Sequence, residues 1–196
     1  EIFKLAVARE QLCHREMYRL SVELWPKYCG VKPLPADSLA LIRTVIDRIS
    51  LDHVAPADLF DTIDHQLHRI TRFIIRKDLF DFDTTASVIV RRMPPFASGV
   101  TIASADFPLP YQKASSAYYN VTDLSVIPPK KVESELREYN NWMLQLLTIH
   151  EAIPGHCLQG TYTMREAPDM VKAVFANGAM VEGWAVYSER MMMESG

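Results

Sequence analysis

The stretch of this chain best equipped for chemistry is His150-Glu151-Ala152-Ile153-Pro154-Gly155-His156. Leu136, Tyr139, Met143, Leu146, Leu147 and His150 recur at three and four residues, so they share one helix face. His150 continues the apolar stripe, and its imidazole is expected to turn inward. Glu151 follows roughly 100° further round the helix. A buried His followed at once by a Glu, with a second His within two turns, is the ligand–base–ligand order of zinc peptidases. Zn2+ takes neutral imidazoles and carboxylates, and a catalytic site keeps three protein ligands and one water. The ion lowers the pKa of that water to about 7. A neighbouring carboxylate then accepts its proton during attack on a carbonyl and hands it to the leaving amine. On this reading His150 and His156 are ligands and Glu151 is the general base.

The spacing is unusual. Ligands four apart share a helix face, whereas six apart on an ideal helix means about 240° of rotation. Pro154 excludes an ideal helix here, because its ring collides with the carbonyl of the residue four back, His150. Gly155 is expected to adopt a backbone conformation that other residues resist. A bulge or widened turn at Pro154-Gly155 would absorb the two extra residues and swing His156 back towards His150. A third ligand must come from elsewhere. Glu182 stands alone among apolar residues in Val181-Glu182-Gly183-Trp184-Ala185-Val186-Tyr187, and a carboxylate in such surroundings calls for a cation. A Glu early in a helix also complements the helix dipole, which is the plainer explanation of Glu182. Glu189 and Glu194 are alternatives, and Glu189 is placed to bond a ligand His from behind. Trp184 and Tyr187 read as packing residues.

Other clusters are read plainly. Asp61, Asp64, His65 and His68 lie opposite an apolar stripe and read as a solvated helix face. Met191, Met192 and Met193 point in three directions and make no soft-metal site. Cys13, Cys29 and Cys157 form no disulfide pattern and read as small buried hydrophobes. His14 and Glu16 support no hypothesis.

The elements that must hold these residues follow from periodicity and breakers. Glu1 to about Glu23 reads as a helix closed by Trp25-Pro26. Asp37 or Ser38 caps a second, with Leu39, Ile42, Val45, Ile46 and Ile49 as its stripe. Pro56 opens a third, with Phe60, Ile63, Leu67, Ile70 and Ile74. From about residue 84 the texture becomes β-like. Val88-Ile89-Val90, Val100-Thr101-Ile102 and Tyr118 to Thr122 predict two or three short strands among many prolines. One helix returns after Pro128-Pro129, and a last one runs from about Met180 through Met193 after Asn177-Gly178.

With 196 residues, 48% hydrophobic and 23% charged, the composition is that of a globular protein. A net charge of −3 offers no basic stripe for a phosphate backbone, so nucleic acid is not an expected partner. No apolar run reaches the ~20 residues that cross a bilayer. The chain starts at Glu1 and stops after a helix-like stretch, and is read as one domain excised from a longer metallopeptidase-like protein. Its first 80 residues are the helical part and residues 85–196 the catalytic core. The expected class is mainly α (α+β), a zincin-like helical domain with a small sheet beside the active-site helix.

These residues resemble the bacterial family catalogued as domain of unknown function 885, of gluzincin metallopeptidase type. HEAIPGHCLQ (150–159) is similar to its His-Glu-x-x-Pro-Gly-His motif, EGWAVYSE (182–189) to its Glu-Gly-Trp-Ala motif, and SAYYNVT (116–122) to the strand before the site. The resemblance covers roughly residues 85–196. It implies zinc ligands at His150, His156 and Glu182, Glu151 as base, and a peptide substrate. In gluzincins an edge strand pairs with the extended substrate backbone, which assigns that part to Tyr119, Asn120 and Val121. Family members usually carry a second His where this chain has Cys157. They also run on as further helices, so the Tyr or His that commonly stabilises the oxyanion is expected outside this chain. The compartment is not fixed by the sequence, with a lean towards the bacterial cell envelope or secretion. The alternatives are a non-catalytic helical module that binds peptides or partners around a vestigial metal site, and a zinc hydrolase acting on another amide or an ester.

Overall fold

The computed structural model describes residues 1–80, 87–97, 101–108, 116–166, 171, 175 and 177–196. It is mainly helical with a three-stranded mixed sheet. The chain forms two compact units: Glu1–His53 with Leu136–Asn140, and Val54–Glu135 with Asn141–Gly196.

The first unit is built on α1 (Ile2–Cys29) and α2 (Ser38–Ile49). Pro26 does not close α1 as its sequence suggests, because the turn around it is held by packing. Trp25 is buried against Leu41 and Val45, with Leu24, Tyr28, Cys29 and Ile49 around them. Its indole N–H donates to the Lys32 carbonyl at 2.8 Å. The helix ends instead at Gly30, whose φ of 66° favours glycine. Asp37 caps α2, accepting from the Leu39 and Ala40 amides. The buried face of α2 is Leu41, Ile42 and Val45, while Leu39 and Ile46 of the expected stripe are exposed.

Among the described residues, the second unit carries the sheet and most of the remaining helical structure. After a 3-10 turn at Pro56–Asp58, α3 (Leu59–Lys77) buries Leu59, Ile63, Gln66, Leu67, Ile70 and Ile74. The strands are β1 (Val88–Arg92), β2 (Ala103–Asp106) and β3 (Ala117–Val121), in the order β1-β3-β2. β3 pairs parallel with β1, Val90 opposite Tyr119, and antiparallel with β2, Ala105 opposite Tyr119. The second strand thus lies later than the Val100–Ile102 run, of which Val100 is outside the described residues. Asn120 is buried at the sheet centre, where Arg91 Nε donates to its Oδ1 at 2.7 Å. Its Nδ2 donates to Ser104 Oγ and Asp106 Oδ2.

The single helix expected after Pro128-Pro129 is two: α4 (Pro129–Glu138) and α5 (Asn141–Glu151). At the break, Asn140 Nδ2 donates to the Arg137 carbonyl and satisfies the end of α4. α6 (His156–Glu166) follows α5, and α7 (Gly178–Glu194) closes the chain, capped by Asn177. α5 packs on α3, α7 and β2, and α6 on α7, β2 and β3. Thr148 of α5, fully buried, donates within 3.2 Å to Gln66 of α3.

Candidate metal centre

The two histidines of the motif belong to different helices. His150 lies in the last turn of α5, and His156 is the first residue of α6. Between them the α-helical ladder breaks. The Gly155 amide reaches the Ile149 carbonyl at 3.0 Å and the Leu158 amide the Ala152 carbonyl at 3.3 Å, each spanning six residues instead of four. The Ile153–Pro154 peptide bond is cis. This widened turn folds α6 back so that the two imidazole rings meet edge to face, with centroids 4.8 Å apart.

Gly155 is needed here for space. Its φ lies outside the left-handed region, so the expected special backbone conformation is not the reason. A Cβ at this position would stand 1.7 Å from the His150 carbonyl oxygen and 2.5 Å from that of Ile149. Only a residue without a side chain lets the turn close against α5.

Glu182 completes the group. Its carboxylate oxygen Oε2 lies 3.6 Å from His150 Nε2 and 3.8 Å from His156 Nε2. The three ligand atoms all fall within 4.8 Å of one another. Glu182 stands beyond the first turn of α7, which contains no acidic residue, so the helix dipole does not account for its position. His156 is buried, whereas the Glu182 side chain is 67% exposed, which leaves the cluster open to solvent on that side.

Glu189, two turns along α7, accepts a 2.6 Å hydrogen bond from His150 Nδ1. A carboxylate accepts only, so Nδ1 carries the proton and Nε2 is directed at Glu182. Burial lowers the pKa of His156, and the nearby His150 adds to this against the opposing charge of Glu182. The buried imidazole thus favours its neutral, ligating form. Burial raises the pKa of Glu151, with Glu182 adding to the rise and His150 opposing it. Glu194, the other alternative, instead pairs with Arg190 on the exposed side of α7.

The donor set is what zinc takes: two imidazole nitrogens and a carboxylate oxygen, with one imidazole oriented by a carboxylate behind it. Tetrahedral zinc holds such atoms about 3.3 Å apart. The nitrogen–oxygen separations here, 3.6 and 3.8 Å, are a few tenths of an ångström wider, and the group as a whole spans up to 4.8 Å, so the ligand atoms would draw together around an ion. By donor type and convergence the residues fit the ion.

Tyr119, Asn120 and Val121 are placed differently from the expectation. They belong to β3, the central strand, whose two edges are already paired with β1 and β2, and all three are buried. A strand hydrogen-bonded on both sides has no edge for a substrate. The strand at a sheet edge beside α5 and α6 is β2. Two features of α7 were not legible in advance. Trp184 Nε1 donates to the Pro154 carbonyl at 2.8 Å, and the fully buried Ser188 approaches the same oxygen at 3.5 Å. Cys157 is buried against the Tyr118 carbonyl, and burial, then Glu151 and Asp106, push its thiol pKa well up. Cys13, by contrast, is exposed rather than a buried hydrophobe. Asp64 and His68 pair on the exposed face of α3, and among the described residues the His150 group alone has metal-ligand geometry.

Fold and site together define a mainly helical α+β protein with a two-histidine, one-glutamate cluster of metal-ligand type. The chain belongs to the bacterial family of proteins of unknown function DUF885, whose sequence profile matches residues 1–196, the helical first part included. A solved structure of a candidate lipoprotein of unknown function from Shewanella oneidensis is 42% identical, with a TM-score of 0.88 over 99% of this chain and 34% of its own. A candidate lipoprotein from Colwellia psychrerythraea shares the fold at 18% identity and a TM-score of 0.67, over 93% of this chain and 30% of its own. The chain thus spans about a third of the length of these two structures. No functionally curated protein matches it.

Proposed function

We propose that this chain carries the metal-binding core of a gluzincin-type zinc peptidase that hydrolyses peptide bonds. The observation that carries the reading is the convergence of His150 Nε2, His156 Nε2 and Glu182 Oε2, with Glu189 behind His150 and the Glu151 carboxyl alongside. When bound, zinc would lower the pKa of a water to about 7 and polarise a carbonyl. His150, His156 and Glu182 would hold the ion. Glu189 keeps the His150 proton on Nδ1 and so keeps Nε2 available. Glu151 accepts a proton from the attacking water and delivers it to the leaving nitrogen. Its place next to a ligand His keeps it in range for both transfers. An extended substrate backbone would add to β2 (Ala103–Asp106), the edge strand beside these helices. The likeness to candidate lipoproteins supports a place at the bacterial cell envelope. No helix among the described residues is long and apolar enough to cross a membrane.

Elemental analysis after zinc loading and dialysis tests the reading, beside His150→Ala. About one zinc per chain, lost in the variant, is the expected result. Glu151→Gln should keep the zinc and lose about 10²–10⁴-fold in peptide hydrolysis. Zinc with hydrolysis of only another amide or an ester would move the electrophile. Absence of zinc together with peptide affinity would replace the reading with a binding module.

A further inference from the structure

The widened turn between the two histidines leaves a buried carbonyl without its helical donor, and α7 supplies the replacement. In an α-helix the Leu158 amide would bond the Pro154 carbonyl, four residues back. It bonds Ala152 instead. Pro154 is fully buried, where an unpaired carbonyl is costly. The Trp184 indole N–H takes the vacated position at 2.8 Å, with the Ser188 hydroxyl behind it at 3.5 Å. The Trp184 ring is itself braced by Phe80 and Tyr187, at centroid distances of 6.0 and 5.9 Å.

We propose that Trp184 is a positioning residue for the metal centre: its indole N–H clamps the Pro154 carbonyl and thereby sets the separation of His150 and His156. Glu182 and Trp184 are two residues apart on α7, so one rigid helix both supplies the third ligand and fixes the turn that presents the other two. Zinc affinity then depends on a side chain that never touches the ion. A ring that only filled space would serve equally well without its N–H.

Trp184→Phe keeps an aromatic ring and removes the donor. Two readouts separate the clamp from the metal reading on which its consequence for affinity rests. In metal-free protein, hydrogen exchange at the Gly155 and Leu158 amides should quicken in the variant while the α3 amides keep their wild-type protection. In chelator competition, the dissociation constant for zinc should rise about tenfold, as expected for a lost hydrogen bond to a buried carbonyl. Ser188→Ala removes the longer contact and should move both readouts the same way by less. It also serves if Trp184→Phe fails to fold. Unchanged exchange and unchanged zinc affinity in both variants would overturn the proposal. A wild-type chain that binds no zinc would refute the metal reading, while the exchange result would still decide the clamp.

Discussion

At Gly155 the constraint is a distance of 1.7 Å between an added methyl and the His150 carbonyl oxygen, and backbone cannot yield as a side-chain tip does. Gly155→Ala is therefore expected to cost at least ~3 kcal/mol, read by denaturant unfolding. A cost near zero would mean that the turn can reopen freely. Cys157 and Cys13 make a second contrast. One is buried with a thiol pKa pushed up by burial, and the other is exposed. Cys13 should react with a thiol reagent at neutral pH while native Cys157 does not, as peptide mapping after brief labelling would show. The residues brought together here, His150, His156, Glu182 and Glu189, were legible from residue type, from Pro154-Gly155 between the histidines and from the family resemblance, since a six-residue spacing on its own separates the two imidazoles. The bond from Trp184 was not, since nothing in a sequence says which carbonyl an indole will meet. Gly155 was rightly singled out but for its flexibility, because a close approach between segments is visible only once the turn is built.

The helix α7 works as a unit, because Glu182, Trp184, Ser188 and Glu189 all serve the same few atoms around Pro154 and His150. An alanine inserted after Ala185 would rotate everything beyond it by about 100° and carry Glu189 away from His150. Zinc affinity should fall by about 10–100-fold with helical content by circular dichroism unchanged. Equal affinity would show that Glu189 contributes nothing. In the sheet, Asn120→Ala strips partners from Arg91, Ser104 and Asp106 at once. It should cost about 1–3 kcal/mol in unfolding experiments. β1 and β3 were readable from β-branched and aromatic runs. Strand order was not, since alternation marks a strand without naming its neighbours, so nothing in the pattern corrects the edge role that the resemblance gives to the central strand. The α4–α5 break escaped periodicity for a related reason: the stripe runs straight across Tyr139 and Asn140, which carry no Pro or Gly.

For the whole chain, the mainly helical class with a small sheet followed from long amphipathic stretches around one β-rich interval. The grouping of Leu136–Asn140 with Glu1–His53 did not. Arg137 ties the two stretches, donating to Ser50 and to the Asp47 carbonyl, 87 and 90 positions away. Local patterns hold no information at that range. On the proposed function, zinc binds a site assembled from α5, α6 and α7, which exists only in the folded chain. Zinc at 100 times its dissociation constant should then stabilise the protein by about 2.7 kcal/mol, roughly 5–10 °C in Tm for a chain of this size. Thermal melts with zinc and with excess chelator would check this, and coincident curves would count against the site.

The contact at Gly155 also bears on how the longer relatives of this chain can diverge. That glycine answers to geometry and, on the proposed function, Glu151 answers to chemistry, so a lineage is free to lose them separately. A descendant that kept the glycine and exchanged the glutamate would retain the architecture without the reaction, as a fossil of an enzyme put to another use. One that lost the glycine would have had to rebuild the turn, and its two histidines would no longer be counterparts of these.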